Sequence, residues 1–157
     1  MINMVRHGLL IVILLILNSL RLILKRLLNF MEIKNIEIAD CRVLSTSIIA
    51  NKFIIKFESI YDVVIKQFIE NVDLVIYDWS SFEAKLYIAN ALRESFVEVN
   101  LTTDKMEFFN FIQGIEVYEG NLLLQGFSRE SGNWLEYRFK SGKFFFKRPA
   151  DTSRPYH

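Results

Sequence analysis

From Met31 onward, apolar and polar residues alternate in short runs, the pattern of strands with one buried face. Ile36 and Ile38 flank Glu37, and Phe53, Ile55 and Phe57 stand opposite Lys52, Lys56 and Glu58. "RVLSTSII" leads through Ala50-Asn51 into "KFIIKFE", which predicts a hairpin. "VDLVIYDW" reads as a strand, and after Ser80-Ser81 the residues Phe82, Ala84, Leu86 and Ile88 alternate with Glu83, Lys85 and Tyr87. "SFVEV" continues the sheet. Further on come "IEVYE", a Gly120-Asn121 turn, "LLLQGF", the loop "SRESGN", "WLEYRF", a Ser141-Gly142 turn and "KFFFK".

Two segments break this period. "TTDKMEFFNFIQG" predicts a helix: Thr103 or Asp104 caps it, Asp104 and Glu107 have capping-box spacing, and Gly114 ends it in a left-handed turn. Met106, Phe109 and either Ile112 or Phe108 would then face the sheet. "SIYDVVIKQFIENV" fits either a helix capped by Ser59 or a β-branched strand, and the strand is the better fit. The expected fold class is therefore α+β: mainly antiparallel β-sheet with one or two helices packed on it, preceded by an apolar N-terminal helix.

That N-terminal segment differs in composition from the rest. Residues 1–30 carry Arg6, Arg21, Lys25 and Arg26 and no acid, so all 18 acidic side chains lie beyond them and the remainder is slightly acidic. Residues 9–17 are apolar without a break, after which Asn18, Ser19 and Arg21 intrude. Four readings stand: a short transmembrane helix with Arg21 snorkelling, a secretory signal without a small-x-small cleavage site, an interfacial amphipathic helix, and an extension preceding a natural start at Met31. If the segment inserts, Arg21, Lys25 and Arg26 outweigh Arg6 and leave the domain on the cytoplasmic side. The division expected is a basic apolar leader over 1–30, a β-rich domain over 31–147 and a frayed tail over 148–157. Membrane contact falls to residues 8–28.

Chemistry is sparse. Cys41 is the sole cysteine, which excludes an intrachain disulfide and a thiolate cluster; its expected place is half-buried between strands. The two histidines, His7 and His157, lie outside the domain, so a general base would have to be a carboxylate such as Asp78 with Glu83, or Glu130 with Glu136. There is no phosphate-cradling glycine loop, nucleophile elbow or metalloprotease helix. These readings point away from an enzyme, with no catalytic residue, no metal site and no cofactor expected. The acidic domain offers no broad basic footprint for nucleic acid.

What remains is aromatic. In "WLEYRF", alternation sets Leu135, Tyr137 and Phe139 on one face and Trp134, Glu136 and Arg138 on the other. Gly126 marks a bulge or a close neighbour, with Trp134 the expected neighbour. Were Trp134 a core filler, its replacement by alanine would cost about 3–5 kcal/mol. As an alternative, Trp134, Glu136 and Arg138, with Asp78, Trp79 and Glu83 of "YDWSSFE", form aromatic–acidic groups suited to a protein interface.

"DLVIYDWSSFEAKLY" followed by "LLLQGFSRESGNWLEYRF" resembles a type of small, uncharacterised bacterial protein, some members of which resemble immunity partners of contact-dependent or polymorphic toxins. The resemblance spans roughly Met31 to Phe139 and has no counterpart for the leader. It implies a cytoplasmic domain that occludes a toxin, with Trp79 and Trp134 at the matching aromatic positions. The function expected is a non-enzymatic protein-binding module, with a membrane-anchored structural or accessory protein as the alternative.

Overall fold

A computed structural model describes residues 16, 17, 20, 30, 31, 33–90 and 95–149. The chain divides into two compact units, Met1–Phe30 and Met31–His157. The readings of the leader, and of the tail beyond residue 149, fall largely or wholly outside the described residues. Among those that are described, no helix is long and apolar enough to cross a membrane.

The second unit is antiparallel sheet. Its strands are β1 (Phe30–Met31), β2 (Ile36–Glu37), β3 (Cys41–Ile49), β4 (Lys52–Asp62), β5 (Gln67–Tyr77), β6 (Ser81–Asn90), β7 (Ser95–Asn100), β8 (Phe109–Tyr118), β9 (Asn121–Ser128), β10 (Trp134–Lys140) and β11 (Lys143–Lys147). They lie in the order β1-β11-β5-β4-β3-β8-β9-β10-β6-β7, with β2 paired to β4. The α+β expectation is thereby corrected: among the described residues no α-helix packs on the sheet, and the predicted helix is one 3-10 turn, Thr103–Lys105, followed by β8.

The cause of that misreading lies in β8. Its pairing with β9 shifts register between Phe109 and Phe111 and again between Ile112 and Gly114. Each irregularity adds a residue and flips the parity of the strand, so inward positions recur every third residue instead of every second. Phe109 and Ile112 are fully buried and Ile115 packs against the same core. A twice-bulged strand thus imitates the stripe of an amphipathic helix, and Gly114 lies inside it rather than ending a helix.

β3 is shared between two arms of the sheet. Cys41 and Arg42 pair with β8, whereas Val43 to Ile49 pair with β4, and the register shifts between Val43 and Ser45. A bulge of this kind lets one strand pass from one layer to another. The ribbon folds over there, and the faces of its arms meet: Phe53 of β4 lies 5.4 Å from both Tyr137 and Phe139 of β10 and 5.8 Å from Phe82 of β6. The carbonyls freed at the bend are met by Arg129, whose Nη2 donates to the oxygens of Val43 (2.5 Å) and Leu44 (3.3 Å).

The turns carry their own signatures. Ala50 takes φ +53° in the predicted β3–β4 hairpin. The β8–β9 turn falls one residue earlier than expected, at Glu119-Gly120, with Tyr118 paired to Asn121. Ser141-Gly142 does not form a hairpin: β10 pairs with β6 and β9, and β11 pairs with β5, so the chain changes arm at this point. The β5–β6 connection makes the opposite change through Asp78, at φ +54°. Ser80 N–H donates to the Lys140 carbonyl at 2.8 Å, tying the two crossings together.

Candidate functional site

The loop "SRESGN" is a structural clamp. Buried Ser128 accepts the N–H groups of Glu130 (3.0 Å) and Ser131 (3.1 Å) at its Oγ, the local bonding expected of a serine that starts a turn. The Ser128 and Ser131 hydroxyls both donate to the Glu107 carboxylate at 2.5 Å, and Glu130 accepts Phe108 N–H at 2.8 Å. Tyr137 completes the lock by donating its hydroxyl to the Glu107 carbonyl. The loop therefore fastens β9 and β10 to the segment that enters β8.

Gly126 has a neighbour other than Trp134. A Cβ there would stand 2.0 Å from the Phe111 carbonyl oxygen and 2.9 Å from Ile112 Cα, so the missing side chain makes room for the bulged β8 backbone. Trp134 pairs with Phe127 and projects from the opposite face, where the rings meet edge to face at 5.3 Å. It fills no space beside Gly126.

Strand alternation then assembles an outer face. β6 turns Phe82, Ala84 and Leu86 inward, and β10 turns Leu135, Tyr137 and Phe139 inward. Glu83, Lys85 and Tyr87 consequently lie outward, opposite Arg138, Glu136 and Trp134 in register. Tyr87, Phe96, Phe127, Trp134 and Glu136 line a shallow depression of about 510 Å³. Its one carboxylate is held at both oxygens: Gln125 Nε2 donates to Glu136 Oε1 at 2.7 Å and Tyr87 OH donates to Oε2 at 3.1 Å. Burial, and then the bond to Glu136, push the Tyr87 phenol up to about 12. Tyr87 remains a donor throughout the physiological range.

β7 closes this face on one side and, among the described residues, is the end strand of the sheet. All six of its residues are exposed, with Phe96 at 70% and Val97 at 48%. Its only charge, Glu98, is tied to Lys85 at 2.6 Å, which draws the Glu98 carboxyl below its ordinary range. Proline, free lysines and bulges usually guard an edge, and this strand has none of them.

Of the six candidate binding residues, Glu83, Trp134, Glu136 and Arg138 share the outer face. Asp78 and Trp79 lie at the β5–β6 crossing. Trp79 packs against the core, 5.5 Å from Phe139, and Asp78 pairs with Lys143 at 3.1 Å. Tyr87, Phe96, Gln125 and Phe127 were not singled out from the sequence. For Tyr87 and Phe127 the signal was parity, since each is displaced by one from a buried neighbour, Leu86 and Gly126.

Three of the four carboxylates considered for proton transfer are engaged in structure. Asp78 meets Lys143, Glu130 meets Phe108 N–H, Glu136 meets Gln125 and Tyr87, and Glu83 stands opposite Arg138. Cys41 is half-buried on β3; burial, and then the charges of Asp40 and Glu37, push its thiol up to about 11, far from the thiolate that nucleophilic work requires. Among the described residues no group of three or more His, Cys, Asp or Glu side chains is placed to hold a metal ion. No protein-family model, curated protein or solved structure matches the chain.

Proposed function

We propose that this chain is a non-enzymatic protein-binding module whose partner adds an extended segment to β7 and seats apolar side chains in the depression around Trp134. The supporting observation is the coincidence of an open, β-prone edge with an aromatic depression on the adjoining face. Strand addition supplies affinity through main-chain hydrogen bonds, and a neighbouring pocket supplies selectivity through side chains. Trp134 and Tyr87 suit such a pocket because they bury large areas with few rotamers to freeze. Glu136 is pre-fixed by two donors, and residues 31–157 carry three more acids than bases, so a segment mixing apolar and basic residues fits best. The resemblance to immunity-type proteins makes a toxin domain the first partner to test.

Trp134→Ala separates this role from a structural one. It removes a half-exposed side chain and one aromatic pair, for a stability loss of about 1 kcal/mol. Affinity for the partner is expected to fall by about 30-fold or more, the scale of an anchor residue. Isothermal titration of the two proteins, with urea denaturation of the variant, measures both. Unchanged affinity would remove Trp134 from the interface.

A membrane-anchored accessory role is the second reading. It is favoured by the apolar basic leader and by an apolar turn at one end of the domain.

A further inference from the structure

The β4–β5 hairpin ends in a turn that is apolar where polar residues and glycine are usual. Val63, Val64 and Ile65 are 40, 64 and 46% exposed, and Phe68, at the start of β5, is 71% exposed. All four are exposed residues at one end of this hairpin. Resting on the membrane-anchored reading, we propose that Val63–Phe68 is a lipid-contact element that enters the headgroup layer of a bilayer.

The backbone is prepared for that environment. Asp62 Oδ1 accepts the N–H groups of Val64 (2.9 Å) and Ile65 (3.2 Å), and Val63 N–H donates to the Asn35 carbonyl at 2.9 Å. Donors that a turn normally leaves to water are thus met from within, as a medium poor in water requires. The Asp62 carboxylate is itself buried and ion-paired through Oδ2 to Arg148 Nη2 at 2.8 Å, so it presents no bare negative charge to a membrane. Lys66, at φ +55°, is the one charged residue of the turn, and its long stem suits it to the headgroup boundary. Tyr61, stacked edge to face on Phe68 at 5.1 Å, supplies the amphipathic ring common at such interfaces.

Position supports the same occupant. β2 pairs Ile36 with Asp62 and Glu37 with Tyr61, so the tip is fastened to the first residues of the domain. A leader held in a bilayer would bring the domain, and with it this apolar turn, to a lipid surface. A lipid surface accounts for both the leader and the tip, whereas a protein partner leaves the leader unexplained.

Single cysteines placed at Val64 or at exposed Lys105 of the full chain, in a Cys41→Ser background, carry an NBD label for the test. Each is mixed with phosphatidylcholine–phosphatidylglycerol vesicles containing doxyl lipid. The expected result is that the chain sediments with vesicles, and that the residue-64 label shifts to the blue and is quenched severalfold more than the residue-105 label. Sedimentation with equal, water-like emission at both positions overturns the tip assignment and leaves the anchored reading standing. Failure to sediment overturns both. A concentration-dependent blue shift before vesicles are added assigns the tip to a second copy of the chain and likewise overturns the proposal.

Discussion

Gly126→Ala is expected to unfold the domain or to destabilise it by at least about 3 kcal/mol, although it adds one methyl group. The reason is distance. The new Cβ would lie 2.0 Å from the Phe111 carbonyl oxygen and 3.0 Å from the Phe111 carbonyl carbon, and both belong to backbone that cannot rotate away. Relief requires β8 to withdraw from β9, which costs the pairing around Ile112 and the burial of Phe109 and Ile112. Soluble yield and urea denaturation followed by tryptophan fluorescence check it. Gly114→Ala is the internal control. There a Cβ finds its nearest neighbour at 3.7 Å, the flexible Gln125 side chain, and a loss of no more than about 1 kcal/mol is expected.

Tyr137→Ala is the second large effect, at about 3–5 kcal/mol. Tyr137 is fully buried and its ring touches Phe53, Phe82 and Phe109 at centroid distances of 5.4, 5.3 and 4.6 Å, so truncation opens a cavity where the two arms meet. Tyr137→Phe keeps the ring and leaves the Glu107 carbonyl without its donor, for a loss of about 1–3 kcal/mol. The phenol also gives a pH signature. Burial, and then the negative charges of Glu130 and Glu107, hold its pKa far above the usual phenol range in the folded state. The folded state therefore keeps a proton that the unfolded chain loses near pH 10. This contribution is fully present below pH 10 and declines as pH rises above it. Urea midpoints from pH 8 to 11 are expected to fall less steeply in Tyr137→Phe than in the wild type.

Much of the sheet was legible because alternation survives in its long strands. β6 and β10 show their inward residues at every second position, as β4 does from Phe53 to Phe57, and Ala50-Asn51 marks the reversal into β4. Alternation failed where the backbone inserts residues. Phe109, Ile112 and Ile115 are spaced by three because of two register shifts, and a bulge leaves no mark in composition. The segment around Asp62 was ambiguous for another reason. Its turn is built of valine and isoleucine, and the carboxylate that organises it contributes through geometry alone.

The candidate site was half legible. Parity set Trp134, Glu136 and Arg138 on one face, and the same rule applied to β6 adds Glu83 and Tyr87. It does not reveal that the chain changes arm between Tyr77 and Ser81. That change sets Trp79 against Phe139, apart from the residues that line the depression around Trp134. Strand order, which decides that β7 is an edge and that Phe96 flanks Trp134, depends on contacts distant in sequence.

The binding proposal is tested most directly by amide hydrogen exchange of β7 in the free domain and with a saturating partner domain. Strand addition predicts that outward-facing amides within Ser95–Asn100 exchange rapidly in the free domain and slow by tenfold or more on binding, with Trp134 losing solvent access at the same titration midpoint. Binding that leaves β7 exchange unchanged, while protecting the Glu119-Gly120 end of the sheet instead, would contradict it.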